Sequence, residues 1–190
     1  MKWAGGALAL LLAALAVPAL GAPRPIDVQH SKVTLYVDKQ GVFSFLADNH
    51  EIDAPISSGS YDAEAKSVEL TFESNRVKVL DPKISAGRRD QIQTAMETKV
   101  LEIDRYPAIS FRSTKFAEAD ITHWIVSGEL TLHGKTHPIE IRIAQTDPSH
   151  FTGNATIRQT DFGITPIRLA GGSVAVKDDV RVSFSIAISP

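Results

Sequence analysis

The sequence has no cysteine, no run of basic residues and no long hydrophobic stretch. Without cysteine there is no disulfide, no thiol nucleophile and no thiolate metal site. The 20 Lys and Arg residues against 22 Asp and Glu residues give a formal net charge of −2, which argues against nucleic-acid binding. We therefore expect no nucleic-acid partner, and a stability that comes from a hydrophobic core.

The longest apolar run, Ala7–Val17, is too short to span a bilayer comfortably. It follows Lys2 and precedes a cluster of small residues, a pattern typical of a secretory signal peptide. We predict a signal peptide over residues 1–22, with cleavage within 19–23, and one domain over 23–190. The predicted location is periplasmic or secreted. A buried first helix is the alternative interpretation of this segment.

Most of the remaining chain alternates apolar and polar residues with a period of two, which is typical of half-buried strands. The alternation is clear at Val33, Leu35 and Val37 and recurs in "KSVELTFES", "AISFRST", "HWIVSGELTLHG", "HPIEIRIAQ" and "DDVRVSFSIAIS". The stretches "SSGSYDAEAK" and "TDPSHFTG" are typical of turns. The pattern predicts an all-β antiparallel sandwich or barrel.

One segment departs from this period and predicts a helix from about Ala86 to Thr98. Ser85 is the expected N-cap, and Ile92, Ala95 and Met96 form a short apolar stripe. An isolated helix between strands covers one end of the sheet structure. It serves either as a lid over a cavity or as a structural plug.

The stretch "GELTLHGKTHPIEI" carries two histidines, His133 and His137, around a short turn. Gly134 and Pro138 favour a hairpin over a helix. A metal site would need a third ligand from a distant residue, namely His50, Glu51 or His150. The pair His50 and Glu51 also has the chemistry of a general acid–base couple, although an exposed loop has the same composition. We expect no catalytic residue and no metal.

Large apolar side chains on the predicted strands share one interior. An eight-stranded barrel can fill its interior with side chains or hold one small ligand there. Both alternatives stay open on the residues alone.

Five stretches in order resemble the YceI-like family of lipocalin-like, polyisoprenoid-binding exported proteins. They are "RRDQIQTAM", "LEIDRYPAISFRST", "VSGELTLHGKTHPIEI", "RQTDFGI" and "VKDDVRVSFSIAI". The stretch "GVFSFLADNHEIDAPISSGSYD" departs from the family's opening and indicates a divergent subgroup. The resemblance spans roughly residues 30–188.

The resemblance implies an eight-stranded antiparallel lipocalin-like barrel with one inserted helix. Its cavity would hold an isoprenoid, such as the chain of a quinone lipid, and no other cofactor. The candidate ligand-binding residues are Phe43, Phe45, Leu70, Phe72, Phe111, Trp124, Leu130, Leu132, Phe162 and Phe184. The candidates for the cavity mouth are His50, Glu51 and Arg168.

The expected function is therefore that of an exported carrier or store for an apolar small molecule or lipid, and not that of an enzyme. A transient membrane contact and a homodimer are open as further partners. The alternatives are a metal-dependent or hydrolytic enzyme that uses the loop histidines, and a protein-interaction or stress-response module.

Overall fold

The structure is a computed structural model and describes residues 22–41, 49–169 and 174–190. The strands are β1 (Arg24–Gln40), β2 (His50–Asp53), β3 (Ile56–Asp62), β4 (Ser67–Glu73), β5 (Lys78–Val79), β6 (Ala108–Glu118), β7 (His123–Leu132), β8 (Lys135–Asp147), β9 (His150–Arg158), β10 (Arg168–Leu169) and β11 (Val174–Ile188). Helix α1 spans Ala86–Ala95. The predicted signal peptide lies outside the described residues, apart from its last residue.

A closed antiparallel barrel is formed by eight strands, in the order β1, β3, β4, β6, β7, β8, β9, β11. Strand β11 returns to pair with β1, so that Val33 lies opposite Phe184 and Leu35 lies opposite Val182. Closure pairs the edges that an open sheet would expose. The short strands β2 and β5 extend the sheet beside β1, and β10 lies beside β11. The predicted eight-stranded barrel with one inserted helix is confirmed.

The period-two alternation decides which side chains enter the barrel, because successive residues of a strand point to opposite faces. On β11, Val180, Val182, Phe184, Ile186 and Ile188 all border the interior. The residues between them are polar or small and face outward. Six of the other strands in the ring contribute apolar side chains to the same interior, and β3 contributes Tyr61. The inward faces of all eight strands therefore border one space.

The barrel has two distinct ends. The turn end carries the β3–β4, β6–β7 and β8–β9 connections. The helix end carries α1, the β7–β8 turn and a short 3₁₀ helix, Gln159–Phe162. The β7–β8 turn consists of His133 and Gly134, with φ angles of 52° and 70°. Two consecutive positive φ angles are typical of a tight type I′ hairpin, so the predicted hairpin is confirmed.

The stretches "SSGSYDAEAK" and "TDPSHFTG" each contain a turn, at residues 63–66 and 148–149, but their other residues lie in strands β3, β8 and β9. Both contain a glycine in the strand interior, Gly59 and Gly153. A Cβ built on Gly59 would lie 2.9 Å from a Leu70 methyl carbon, and one on Gly153 would lie 2.4 Å from a Phe184 ring carbon. These glycines therefore make room for a neighbouring strand's side chain, which a turn-based interpretation of glycine does not anticipate.

The helix is shorter than predicted. It ends at Ala95, and a π-helical turn continues over Met96–Val100. The Ser85 side chain accepts a hydrogen bond from the Arg88 backbone N–H at 3.3 Å, which confirms the predicted N-cap. Of the predicted apolar stripe, Met96 is buried, whereas Ile92 and Ala95 are half-buried.

Across the part of the chain that the structure describes, no helix combines the length and apolarity that crossing a membrane requires.

Candidate ligand-binding cavity

The barrel encloses an elongated apolar cavity of about 250 Å³. Tyr61 and Phe151 line it near the turn end, whereas Met96 and Leu132 line it near the helix end. It therefore follows most of the barrel's length. For comparison, an engineered apolar cavity of about 150 Å³ in another protein stays dry and binds benzene. The interior is thus not a fully packed core, and it has room for an apolar molecule.

Interior glycines help to keep this space open. A Cβ on Gly128 would lie 2.4 Å from a ring carbon of Phe111, and a Cβ on Gly153 equally close to Phe184. Each ring therefore occupies the space that a side chain on the neighbouring strand would take. Because the rings lie over glycines, they form part of the wall and project less into the cavity.

The structure places six of the predicted ligand-binding residues along the cavity, namely Leu70, Phe72, Phe111, Leu130, Leu132 and Phe184. Their contact with a ligand stays a prediction. Phe43 and Phe45 lie outside the described residues.

Two predicted cavity residues are placed elsewhere. Phe162 is only 1% exposed, and its ring meets the His137 ring edge-on at 5.4 Å. The short 3₁₀ helix orients the Phe162 ring so that it packs at the helix end and does not form part of the cavity wall. Trp124 packs at the margin of the apolar cluster around Val126 and borders a groove on the outer surface. Neither residue lines the cavity.

The segment after α1 closes the helix end. Met96 and Val100 of the π-helical turn line the cavity. The side-chain amide of Gln93 ties α1 to the barrel: it accepts from the Val79 N–H at 2.8 Å and donates to the Val77 carbonyl at 2.9 Å. The Gln93 amide thereby bonds to two backbone groups along the edge of β5, as the backbone of a neighbouring strand would. The helical segment thus forms the end wall of the cavity.

The predicted mouth residues do not line the cavity. His50 instead lies with its Nδ1 2.6 Å from Asp81 Oδ2. The Asp81 side chain is only 2% exposed, and its other oxygen accepts the Glu51 backbone N–H at 2.7 Å. Both carboxylate oxygens are therefore satisfied within the protein. This geometry favours a structural pair that anchors β2 to the segment after β5.

The histidines of the β7–β8 hairpin also have protein partners. His133 Nε2 lies 3.0 Å from Glu102 Oε1, and the His133 ring packs 4.3 Å from the ring of Tyr106, measured between centroids. His137 meets Phe162. No group of three His, Asp or Glu side chains in the described ranges is close enough to hold a metal ion. The imidazoles thus stabilise turns and ends of the barrel.

Three exposed Asp–His pairs lie at the turn end with the same three-residue spacing. The His30 ring lowers the pKa of Asp27, and the His150 ring lowers the pKa of Asp147, in each case through a side-chain hydrogen bond. At the third pair, the Thr122 backbone N–H and then the His123 ring lower the pKa of Asp120 to about 2. These carboxylates are ionised at neutral pH. Each stabilises its turn by accepting hydrogen bonds from groups of that turn.

Two polar residues of the cavity wall were not anticipated from the sequence. Tyr61 lies at the end of β3, and Gln159 begins the 3₁₀ helix after β9. Gln159 is 8% exposed. It continues the period of two set by the inward-facing Ala155 and Ile157 of β9. Its polar side chain interrupts the hydrophobic pattern, so the sequence does not mark it as a cavity residue.

A closed eight-stranded antiparallel barrel around an apolar cavity, with a helix at one end, defines the lipocalin-like class of folds. The family model for the YceI-like domain matches residues 25–188. The chain therefore belongs to the YceI-like family, as its sequence motifs predicted.

Solved structures share this fold. A polyisoprenoid-binding domain from Saccharophagus degradans, implicated in plant cell wall breakdown, has a TM-score of 0.61 and 15% identity, covering 87% of this chain and 97% of that one. BcnA from Burkholderia cenocepacia has a TM-score of 0.60 and 20% identity, covering 87% of this chain and 99% of that one. None of the curated proteins compared with the chain matches it. The TM-scores show a shared fold, and at these low identities the likeness extends to the fold alone.

Proposed function

We propose that this chain is an exported binding protein that holds an isoprenoid or a similar amphiphilic lipid, as a carrier or a store. The observation that carries the proposal is the apolar cavity of about 250 Å³ along the barrel. The similar domain from Saccharophagus degradans is described as polyisoprenoid-binding, which agrees with the chemistry of this cavity. The signal-peptide pattern of residues 1–22 supports export, to the periplasm or beyond.

The driving force would be burial of the ligand's carbon chain. Each methylene moved from water into an apolar site contributes about 0.8 kcal/mol, or a factor of about four in affinity. Rigid rings such as Phe111 and Phe184 suit such a site because they lose little freedom when a ligand packs against them. Directed polar contacts are not needed for most of the affinity.

A chain-length series tests the proposal directly. We expect linear alcohols to displace a fluorescent apolar probe from the purified protein, with the Kd falling about fourfold for each added carbon. The gain ends once the chain outgrows the cavity, so the length at the plateau measures the usable space. A Kd that does not change with chain length would contradict burial as the driving force.

The natural ligand is tested separately. Protein purified from its native host is extracted with organic solvent, and the extract is analysed by mass spectrometry. We expect a co-purifying isoprenoid at a substantial fraction of the protein concentration. Repeated recovery of protein without any bound lipid, together with no binding in the alcohol series, would refute the proposal.

The two alternatives have less support. The enzyme alternative joins the loop histidines in one site, whereas His50 pairs with Asp81 and His133 pairs with Glu102. The described ranges hold no group of three His, Asp or Glu side chains that could bind a metal ion. An interaction module would favour an exposed apolar patch. Of the large hydrophobic residues in the described part, those that are exposed are Val28 and Ile121. We therefore propose binding without catalysis, and a transient membrane contact as the route by which lipid enters or leaves.

A further inference from the structure

Three segments at the turn end of the barrel share one four-residue pattern: Asp, an apolar residue, a polar residue and His. The pattern occurs as "DVQH" at 27–30, "DITH" at 120–123 and "DPSH" at 147–150. In each segment the histidine Nδ1 lies 2.8–2.9 Å from a carboxylate oxygen of the aspartate. The backbone N–H two residues after the aspartate donates to the same carboxylate at 2.8–3.1 Å. We call these segments the Asp–His turns, and the apolar second residue of each is its tip.

The tips project into solvent. Ile121 is 93% exposed and Val28 is 38% exposed, and among the described residues these are the large hydrophobic side chains that are exposed. The third tip, Pro148, is exposed as well. Because the aspartate fixes the backbone of each turn, the tip side chain is held away from the barrel. Exposed apolar side chains that a fold holds in one region indicate a contact surface.

The tips are spread around half of the rim. Val28 belongs to β1, and Ile121 belongs to the connection that leads into β7. In the closed ring of eight strands, β1 and β7 are four strands apart and therefore lie on opposite sides. The turn that carries Pro148 lies between them, because it joins β8, which pairs with β7, to β9, which pairs with β11. Tips spaced in this way do not fit one pocket of a partner protein, whereas a flat apolar phase meets all three.

The charges at this end distinguish between kinds of lipid surface. Hydrogen bonds within the Asp–His turns lower the pKa of all three aspartates, which are therefore ionised at neutral pH. Acidic residues outnumber basic ones in the segments 24–31, 62–66, 118–123 and 147–150, with Asp27, Asp62, Glu64, Glu118, Asp120 and Asp147 against Arg24 and Lys66. These carboxylates repel an anionic surface, whereas a zwitterionic surface offers them the ammonium groups of its lipids.

We propose that the turn end is a docking surface for zwitterionic lipid bilayers, whose interface receives the tips Val28, Ile121 and Pro148. The inference rests on the proposed lipid-binding function, and it names the face that makes the membrane contact and the class of lipid head group. The helical segment forms the end wall of the cavity at the opposite end, so a lipid exchanged along the barrel axis passes the docked end. The tips bury little apolar area, which makes the contact reversible, as a carrier requires.

The test measures binding of the protein, purified from its native host, to sedimented phosphatidylcholine vesicles. Each methylene moved out of water contributes a factor of about four in affinity. Ile121→Ser removes three carbon groups, which an interface buries in part, so we expect binding to weaken about tenfold. Val28→Ser removes two from a less exposed side chain and should weaken it about threefold. The double variant should lose about 30-fold, because distant sites contribute independently.

Gln29→Ser is the matched control, because Gln29 is an exposed polar residue beside Val28 in the same Asp–His turn. We expect its vesicle binding to stay within about twofold of the wild-type value. All three substituted side chains are exposed, so the variants should fold. A second comparison uses vesicles of equal parts phosphatidylcholine and phosphatidylglycerol, to which the wild-type protein should bind more weakly than to phosphatidylcholine alone.

The alcohol series separates the two hypotheses, because neither Val28 nor Ile121 lines the cavity. If alcohols bind, and vesicle binding is absent or unchanged in the double variant, ligand binding stands and the docking surface is overturned. If the tips govern vesicle binding but no alcohol binds, the docking surface stands and the proposed cavity function fails.

Two other results would also overturn the docking surface. Stronger binding to the anionic vesicles than to the zwitterionic ones would place the contact on basic groups elsewhere on the barrel. A dimer in sedimentation velocity that dissociates in Ile121→Ser would assign the tips to a second copy of the chain.

Discussion

Filling the cavity tests whether the interior is hollow, and Ala155→Leu is the substitution best placed to do so. Ala155 lies on β9, 9% exposed, opposite Val182 on β11 and Ile141 on β8. It lines the cavity. Leucine adds three carbon groups, or roughly 90 Å³ if each takes about the volume of a water molecule in the liquid.

The expected change in stability follows from this volume. Three newly buried methylene equivalents contribute about 2.4 kcal/mol, and the ordering of a leucine side chain costs about 0.5–1 kcal/mol. The free energy of unfolding should therefore rise by about 1.5 kcal/mol, with a Tm higher by roughly 3–6 °C. A long-chain ligand would lose contact for about three carbons, so its binding should weaken by roughly 50-fold.

Chemical denaturation, thermal unfolding and probe displacement measure these effects. The matched control is Ala144→Leu, on the outer face of neighbouring β8, where we expect a change within about 0.5 kcal/mol and unchanged ligand binding. Overpacking of a filled core costs about 1–3 kcal/mol. A loss of stability of that size in Ala155→Leu would show that the lining side chains already meet, and would refute the hollow interior.

Three further predictions concern the wall, the end and the surface of the barrel. Gly153→Ala places a Cβ 2.4 Å from Phe184 and should lower the free energy of unfolding by about 1–3 kcal/mol in denaturation experiments. Gln93→Leu removes the bonds to Val79 of β5 and to Val77 just before it, and should cost about 1–3 kcal/mol, with faster hydrogen exchange at the Val79 amide. The folded pKa of Asp120 is lowered to about 2 from an ordinary 3.8, so its contribution is complete above pH 3.8 and lost as the pH falls through 2. Asp120→Asn should therefore flatten the pH dependence of stability between about pH 2 and 4.

Each of these has a contrasting outcome. Gly87→Ala controls for the glycine substitution, because a Cβ on Gly87 meets nothing within 4 Å, and it should be neutral or slightly stabilising. An equally small effect of Gly153→Ala would contradict the account of the wall. Unchanged exchange at the Val79 amide in Gln93→Leu would show that the amide bonds do not hold the helix. An unaltered acid slope in Asp120→Asn would remove Asp120 as a contributor.

The β7–β8 hairpin shows which features local sequence can predict and which it cannot. Because glycine tolerates positive φ, the sequence predicts a turn at His133 and Gly134, and the structure has that turn. The sequence could not indicate that His133 pairs with Glu102 or that His137 packs on Phe162, because these partners are distant in the chain. The sequence also could not indicate that His50 pairs with Asp81, which is 31 residues away.

The sequence by itself indicated six of the eight barrel strands and the faces that they bury, because alternation with period two depends only on neighbouring residues. Strands β3 and β9 do not show this alternation clearly and were found only in the structure. The sequence also determined the helix start at Ser85, because an N-cap hydrogen bond spans only three residues. Only the tertiary structure decided that the barrel is hollow, that Phe162 packs outside the cavity wall and that Gln159 lines it. Those features depend on how residues far apart in the chain share one volume, and no local pattern in the sequence specifies that volume.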